Sequence, residues 1–121
     1  MTDYSQMTRD DIAEQLAVKV MGWYLDMVEN EWGLRFYKGA DGNAVMDIRL
    51  WKPAEDLNQA VECAEKLRPM WIWDLDGTDI GFTATLKKEP TYQIVKTAVS
   101  KTSPARALCE AVLMAVDNGQ S

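Results

Sequence analysis

Two aspartates, Asp74 and Asp76, follow a run of apolar residues and stand directly before Gly77-Thr78. A carboxylate at the end of a buried strand can attack a phosphoryl group, while a second carboxylate handles the proton of the leaving group and magnesium bridges carboxylate and phosphate. The D-x-D-G-T spacing therefore raises one catalytic hypothesis, a small magnesium-dependent enzyme that acts on a phosphorylated compound.

This spacing resembles the first motif of the haloacid dehalogenase-like phosphatases, but the rest of the chain does not supply what that chemistry needs. The metal requires a later pair of acids, and the acids after Asp79 are isolated ones. The motif also requires a following helix, whereas residues 80–87 alternate between apolar and polar as a strand does. Because Asp-Gly between β-type runs is typical of a tight turn, we predict a hairpin turn at Asp76-Gly77, aspartates that are structural or solvent-facing, and no catalytic residue, metal or cofactor.

The segment Lys101-Thr102-Ser103-Pro104-x-Arg106 is a candidate anion site. Hydroxyls, free backbone N–H groups and two cations at the start of a helix can together hold a phosphate or a carboxylate. Ordinary helix capping by Ser103 explains the same residues without a ligand, so both interpretations stay open.

Aromatic residues supply the second candidate element of a site. Trp23 and Trp51 each stand at a helix junction, and a ring from Trp23, Tyr24 or Trp51 could stack on the base of a ligand. The alternative is that these rings belong to the core, because burying a tryptophan is strongly favourable.

Composition excludes several classes of function. The chain has no histidine, which removes Ser-His and Cys-His nucleophilic pairs, and its two cysteines, Cys63 and Cys109, form no C-x-x-C pair. The net charge of -6 disfavours a nucleic-acid polymer or an anionic membrane as a partner, since both require a basic surface. No apolar run reaches the roughly 18–20 residues of a membrane span. We therefore expect free thiols and a protein that works in a reducing cytoplasm.

The elements that would position these residues follow from periodicity and capping. Thr8 begins a helix that stops at Gly22, Pro53 opens a second helix with an apolar stripe from Leu57 to Leu67, and Ser103-Pro104 opens a third. Strand signals are weak at residues 34–37 and 45–51, and clear in three consecutive runs at residues 70–75, 80–87 and 92–99. The 121 residues thus predict a single α+β domain, residues 1–121, with a small antiparallel sheet of about three to five strands and three helices packed on it in an α-β-α arrangement. Residues 80, 82, 84 and 86 are predicted to face its core.

Three segments in order along the chain carry a family resemblance. They are the first-helix end Lys19-Val20-Met21-Gly22-Trp23, the second helix with Pro53, Asp56, Ala60, Val61 and Lys66-Leu67, and the last helix from Thr102 to Leu113. Together they resemble the phage ABA sandwich domain family of small phage and prophage proteins. The resemblance implies a small antiparallel sheet with helices packed on it, and it implies no agreed activity and no established catalytic residues. Ala54 replaces the usual capping serine, so we expect the second helix to lack a hydroxyl cap.

The residues and the resemblance together favour a non-enzymatic phage or prophage protein acting in the host cytoplasm. In one version it sequesters a small anionic, nucleotide-type ligand as a counter-defence protein, and in the other it binds a host protein. A homo-oligomer is expected where one small domain has little room to enclose a ligand. The alternatives are the magnesium-dependent enzyme built on Asp74 and Asp76 and a phage assembly accessory protein.

Overall fold

The computed structural model describes residues 4–26, 31–67, 71–78, 81–88, 93–100 and 103–119. After a short 3₁₀ helix at Tyr4–Gln6, the helices in these ranges are α1 (Arg9–Lys19), α2 (Leu57–Glu65) and α3 (Pro104–Gly119). The strands are β1 (Tyr24–Leu25), β2 (Phe36–Lys38), β3 (Ala44–Asp47), β4 (Trp71–Thr78), β5 (Gly81–Lys88) and β6 (Gln93–Ser100). The predicted α+β class is confirmed.

The strands form two antiparallel sheets, with the orders β1-β2-β3 and β4-β5-β6. The β4-β5-β6 sheet is the predicted meander of three consecutive strands. The β1-β2-β3 sheet comes from the part of the chain with weak signals, and its two-residue strand β1 has no signal of its own in the sequence. No helix in the described ranges has the length and apolar character that crossing a membrane requires.

The predicted turn at Asp76-Gly77 is wrong. Gly77 pairs with Phe82 and Thr78 pairs with Gly81, so β4 continues through the Asp-Gly step and the chain reverses after Thr78. A Cβ on Gly77 would lie 3.5 Å from the Phe82 ring, so the ring packs directly over this glycine. Pairing along the full length of two strands outweighs the local preference of Asp-Gly for a turn.

Helix α3 lies at the centre of the core. It packs against α1, α2 and the β4-β5-β6 sheet, and its fully buried residues include Leu108, Val112 and Leu113. A helix that is apolar around most of its circumference is buried by neighbours on several sides, and α3 is covered in this way. On the sheet, Ala84 and Leu86 are fully buried as predicted, whereas Phe82 is partly buried; Ile80 lies outside the described residues.

The start of α2 differs from the prediction at two residues. Pro53 does not open the helix: it lies in a turn, and Asp56 is the N-cap, with its Oδ1 accepting from the N–H groups of Asn58 at 2.9 Å and Gln59 at 3.4 Å. The helix therefore has no hydroxyl cap, as expected from Ala54, and the Asp56 carboxylate caps it instead. Leu57 then falls at the first helical position, where it is 41% exposed instead of facing the core.

Helix α1 begins and ends as predicted. The Thr8 hydroxyl accepts from the N–H of Asp11 at 3.1 Å, and Gly22 follows the helix with φ at +74°. That left-handed conformation favours glycine, and it lets the Trp23 N–H donate to the carbonyl of Ala17 at 2.9 Å. The reversal at Gly22 directs the chain from Trp23 into β1.

Candidate functional site

Arg106, the cation predicted to hold an anion at the start of α3, is engaged inside the protein. Its Nε donates to Glu110 Oε2 at 3.0 Å, and its Nη2 donates to the carbonyl oxygens of Tyr4 at 2.8 Å and Met7 at 2.6 Å. The Arg106 side chain is 18% exposed and that of Glu110 is 8% exposed. Arg106 therefore joins the N-terminal segment to α3, and binding an anion there would require these bonds to be exchanged.

Ser103 caps α3 as predicted. Its Oγ accepts from the N–H of Arg106 at 3.1 Å and donates to the carbonyl of Ala54 at 3.2 Å. The second bond joins the start of α3 to the segment that precedes α2. Lys101 and Thr102, which belong to the same predicted site, lie outside the described residues.

The predicted rings Trp23 and Trp51 lie together with Tyr37 in one aromatic cluster. The ring centroids of Trp23 and Trp51 are 4.8 Å apart in an edge-to-face contact, and those of Trp23 and Tyr37 are 6.2 Å apart. Trp51 is 3% exposed, and its Nε1 donates to the carbonyl of Ala13 in α1 at 2.8 Å. Tyr24 lies on β1 with 47% of its surface exposed and lines neither of the cavities described below.

A cleft lies above this cluster, between the first turns of α1 and residues 48–55. It consists of two adjoining cavities, which share Asp10, Ile48, Arg49 and Trp51 as lining residues. One cavity, of about 280 Å³, is also lined by Arg9, Lys52, Ala54 and Glu55. The other, of about 350 Å³, is also lined by Ala13, Glu14 and Tyr37. Each is close to the roughly 300 Å³ at which small-molecule pockets begin.

Three cations line the smaller cavity, and we call this part of the cleft the cationic end: Arg9, Arg49 and Lys52. Arg9 pairs with Glu55 across the cavity, and the guanidinium of Arg49 contacts Asp47, with Nη2 2.8 Å from Oδ2. Lys52 is exposed and has no ion-pair partner among the described residues. Lys52 is therefore a cation whose charge is available to a ligand.

The larger cavity carries the opposite charge, and we call it the acidic end: Asp10 and Glu14, one turn apart on α1, with Tyr37 below them. Burial raises the pKa of the Tyr37 phenol, and the negative charges of Glu14 and Asp10 raise that pKa further. The same field acts on any group that enters this cavity. The charge of the lining thus changes along the cleft, from cations at one end to carboxylates at the other.

Side-chain hydrogen bonds to three helices hold the segment that lines the cleft. Gln59 of α2 accepts from the N–H of Lys52 at 2.7 Å and donates to the carbonyl of Leu50 at 2.8 Å. The indole of Trp51 bonds to α1, and Ser103 of α3 bonds to Ala54. Because these bonds reach both sides of Lys52, they fix the backbone that presents its ammonium to the cleft.

The aspartates of the catalytic hypothesis lie elsewhere, on β4. Asp74 is 53% exposed at its side chain, and its Oδ2 lies 3.0 Å from Nζ of Lys87 on β5. Asp76 is also exposed. Within the described part of the chain, no three His, Cys, Asp or Glu residues cluster in a way that could hold a metal ion.

Sequence reasoning missed most of the cleft. It found Trp51, but it did not find Arg9, Arg49, Lys52 or Tyr37. These residues come from three separate segments, and no local pattern indicates that the start of α1 meets the segment before α2. The signal that was present is a ring with a cation on each side of it within four residues, Arg49-Leu50-Trp51-Lys52.

One comparison with known proteins gives a family, and another gives a fold. A family model described as the phage ABA sandwich domain matches residues 14–113. A crystal structure of a phage protein from Bacillus cereus ATCC 14579 has a TM-score of 0.61 to this chain, covering 93% of this chain and 96% of that chain at 17% sequence identity. At this identity the likeness shows the fold alone. No protein with a curated description matches the chain.

Proposed function

The chain belongs to the phage ABA sandwich domain family, and we propose that it is a non-enzymatic binding protein, encoded by a phage or prophage, that sequesters a small anionic ligand of the nucleotide type in the host cytoplasm. Such sequestration is how a counter-defence protein would remove a nucleotide signal. The proposal concerns binding alone, with no bond made or broken.

The observation that carries this proposal is Lys52, which has no ion-pair partner in the described part of the chain and lies beside Arg9 and Arg49 at a cavity of small-molecule size. An anion loses hydration energy when it enters a pocket, and several charged donors at once are needed to offset that loss. The chain as a whole has a net charge of -6, so its general field repels an anion and only a local group of cations can attract one. The cationic end provides that local group.

Calorimetric titration of the protein with mono-, di- and cyclic nucleotides and with inorganic pyrophosphate tests the proposal. We expect at least one nucleotide to bind with a Kd below 1 mM, and Lys52→Ala to weaken that binding by about 10-fold to 150-fold, which corresponds to 1.5–3 kcal/mol for a hydrogen bond to a charged group. Lys66→Ala is the matched control, because Lys66 is an exposed lysine that lines neither cavity. If no panel member binds, or if Lys66→Ala weakens binding as much as Lys52→Ala, the cleft is not the site.

A second candidate function, binding of a host protein, is favoured by an apolar groove beside β3. Its lining includes Phe36, Val45 and Leu50, of which Val45 is 44% exposed and Leu50 is 59% exposed. Exposed apolar side chains that adjoin one another commonly mark protein contacts. Leu50→Asp separates the two functions, because it changes this groove and leaves Lys52 in place. Loss of a host-protein interaction in Leu50→Asp, with no nucleotide bound by the wild type, would support the second candidate.

A further inference from the structure

The two ends of the cleft differ in charge, and this difference can orient a ligand. Asp10 and Arg49 line both cavities, and Arg9 is paired with Glu55 and Arg49 with Asp47, so the two ends differ in charge through Lys52 at the cationic end and Glu14 at the acidic end. A ligand that carries an anion on one side and N–H donors on the other matches both ends in one orientation only. Reversing it would place the anion beside the Glu14 carboxylate, which repels it.

Resting on the proposed function, we propose that the cleft binds a purine nucleotide with its phosphate at the cationic end and an amino-bearing base at the acidic end, and that guanine is the preferred base. Guanine presents N1–H and the 2-amino group side by side. One carboxylate accepts two parallel N–H groups in the same bidentate geometry that it uses with arginine. Uracil presents a single N–H between two carbonyl oxygens, and a carboxylate repels those oxygens.

The side chains of the acidic end suit a base in shape as well as in charge. Glu14 is exposed, so its carboxylate can reach a base edge without loss of packing, and its side chain makes no hydrogen bond or ion pair with the described residues. Ile48, Ala13 and the Tyr37 ring provide an apolar lining for the faces of the base. Ile48 and Trp51 line both cavities, so a ligand that spans the two ends lies against them.

Comparison of GMP with IMP isolates the contact at the acidic end, because IMP differs only by the missing 2-amino group. We expect calorimetry to give GMP a Kd about 10-fold to 100-fold lower than that of IMP, the range for one hydrogen bond to a charged group. Glu14→Gln should reduce this GMP preference to less than about 3-fold, since a neutral amide no longer accepts two N–H groups from the base. Lys52→Ala should weaken GMP and IMP equally, because both carry the same phosphate.

The control for Glu14→Gln is Glu62→Gln, an exposed glutamate of α2 that lines neither cavity. Circular dichroism of each variant verifies that the fold is retained. If nucleotides bind and Lys52→Ala weakens them, but GMP and IMP bind alike or Glu14→Gln leaves their ratio unchanged, the orientation is overturned and the proposed function stands. If no nucleotide binds the wild type, the proposed function fails, and the orientation fails with it.

Discussion

Replacing Arg106 with alanine should destabilise the fold more than it changes any binding. The substitution removes the ion pair with Glu110 and two hydrogen bonds to the carbonyl oxygens of Tyr4 and Met7. The Glu110 side chain, which is 8% exposed in the native structure, then loses its cation, and removing one partner of a buried pair costs about 3–5 kcal/mol. Because the Arg106 side chain is 18% exposed, water partly screens the ion pair. We therefore expect the free energy of unfolding to fall by about 3 kcal/mol.

Urea denaturation followed by tryptophan fluorescence measures this loss as a change in the free energy of unfolding. A double-mutant cycle with Glu110→Ala identifies its source: Glu110→Ala should cost less in the Arg106→Ala background than in the wild type, because the stranded carboxylate is gone. Two results would refute the reasoning. One is a loss below about 1 kcal/mol, which is the value of an ordinary surface pair. The other is an equal cost of Glu110→Ala in both backgrounds.

Four further predictions concern the elements around the cleft and the core. Asp56→Ala should lower the free energy of unfolding by about 0.5–2 kcal/mol in urea denaturation, because it removes the N-cap of α2. Trp51→Phe should cost about 1–3 kcal/mol in the same assay, since it removes the buried indole hydrogen bond to the Ala13 carbonyl and leaves a smaller ring in the core; an unchanged midpoint would contradict this. Burial raises the pKa of Cys63 to about 12 and that of Cys109 well above its ordinary value, so iodoacetamide at pH 8 should label neither thiol until urea is added. Because the folded state keeps thiol protons that the unfolded state loses, the free energy of unfolding should also fall as the pH rises above about 8.5.

Helices and strands could be predicted from the sequence where the local preferences of the residues match the final structure. Thr8 and Ser103 are hydroxyl caps with apolar helical residues after them, and both helices begin there. The three consecutive β-type runs form a meander because neighbouring antiparallel strands need only short connections. The prediction failed at Asp76-Gly77 and at Pro53, where pairing along β4 and β5 and the cap at Asp56 outweigh the local preferences of those residues.

The candidate site could be predicted only in part from the sequence. Ser103 and Arg106 look like an anion site because a helix start, a hydroxyl and a cation stand together, but their bonds run to Ala54, Glu110 and the N-terminal segment. Contacts between distant segments decide whether such a cation is available. Lys52 has no motif around it, and it becomes a candidate only because Gln59 and Trp51 hold its segment against α1.

Amide chemical-shift mapping by NMR during titration with GMP tests most directly whether the cleft is a nucleotide site. We expect saturable shifts at residues 9–14, at Tyr37 and at residues 48–55, and their loss in Lys52→Ala. Shifts confined to the start of α3 around Ser103 and Arg106, or no shifts at millimolar GMP, would contradict it.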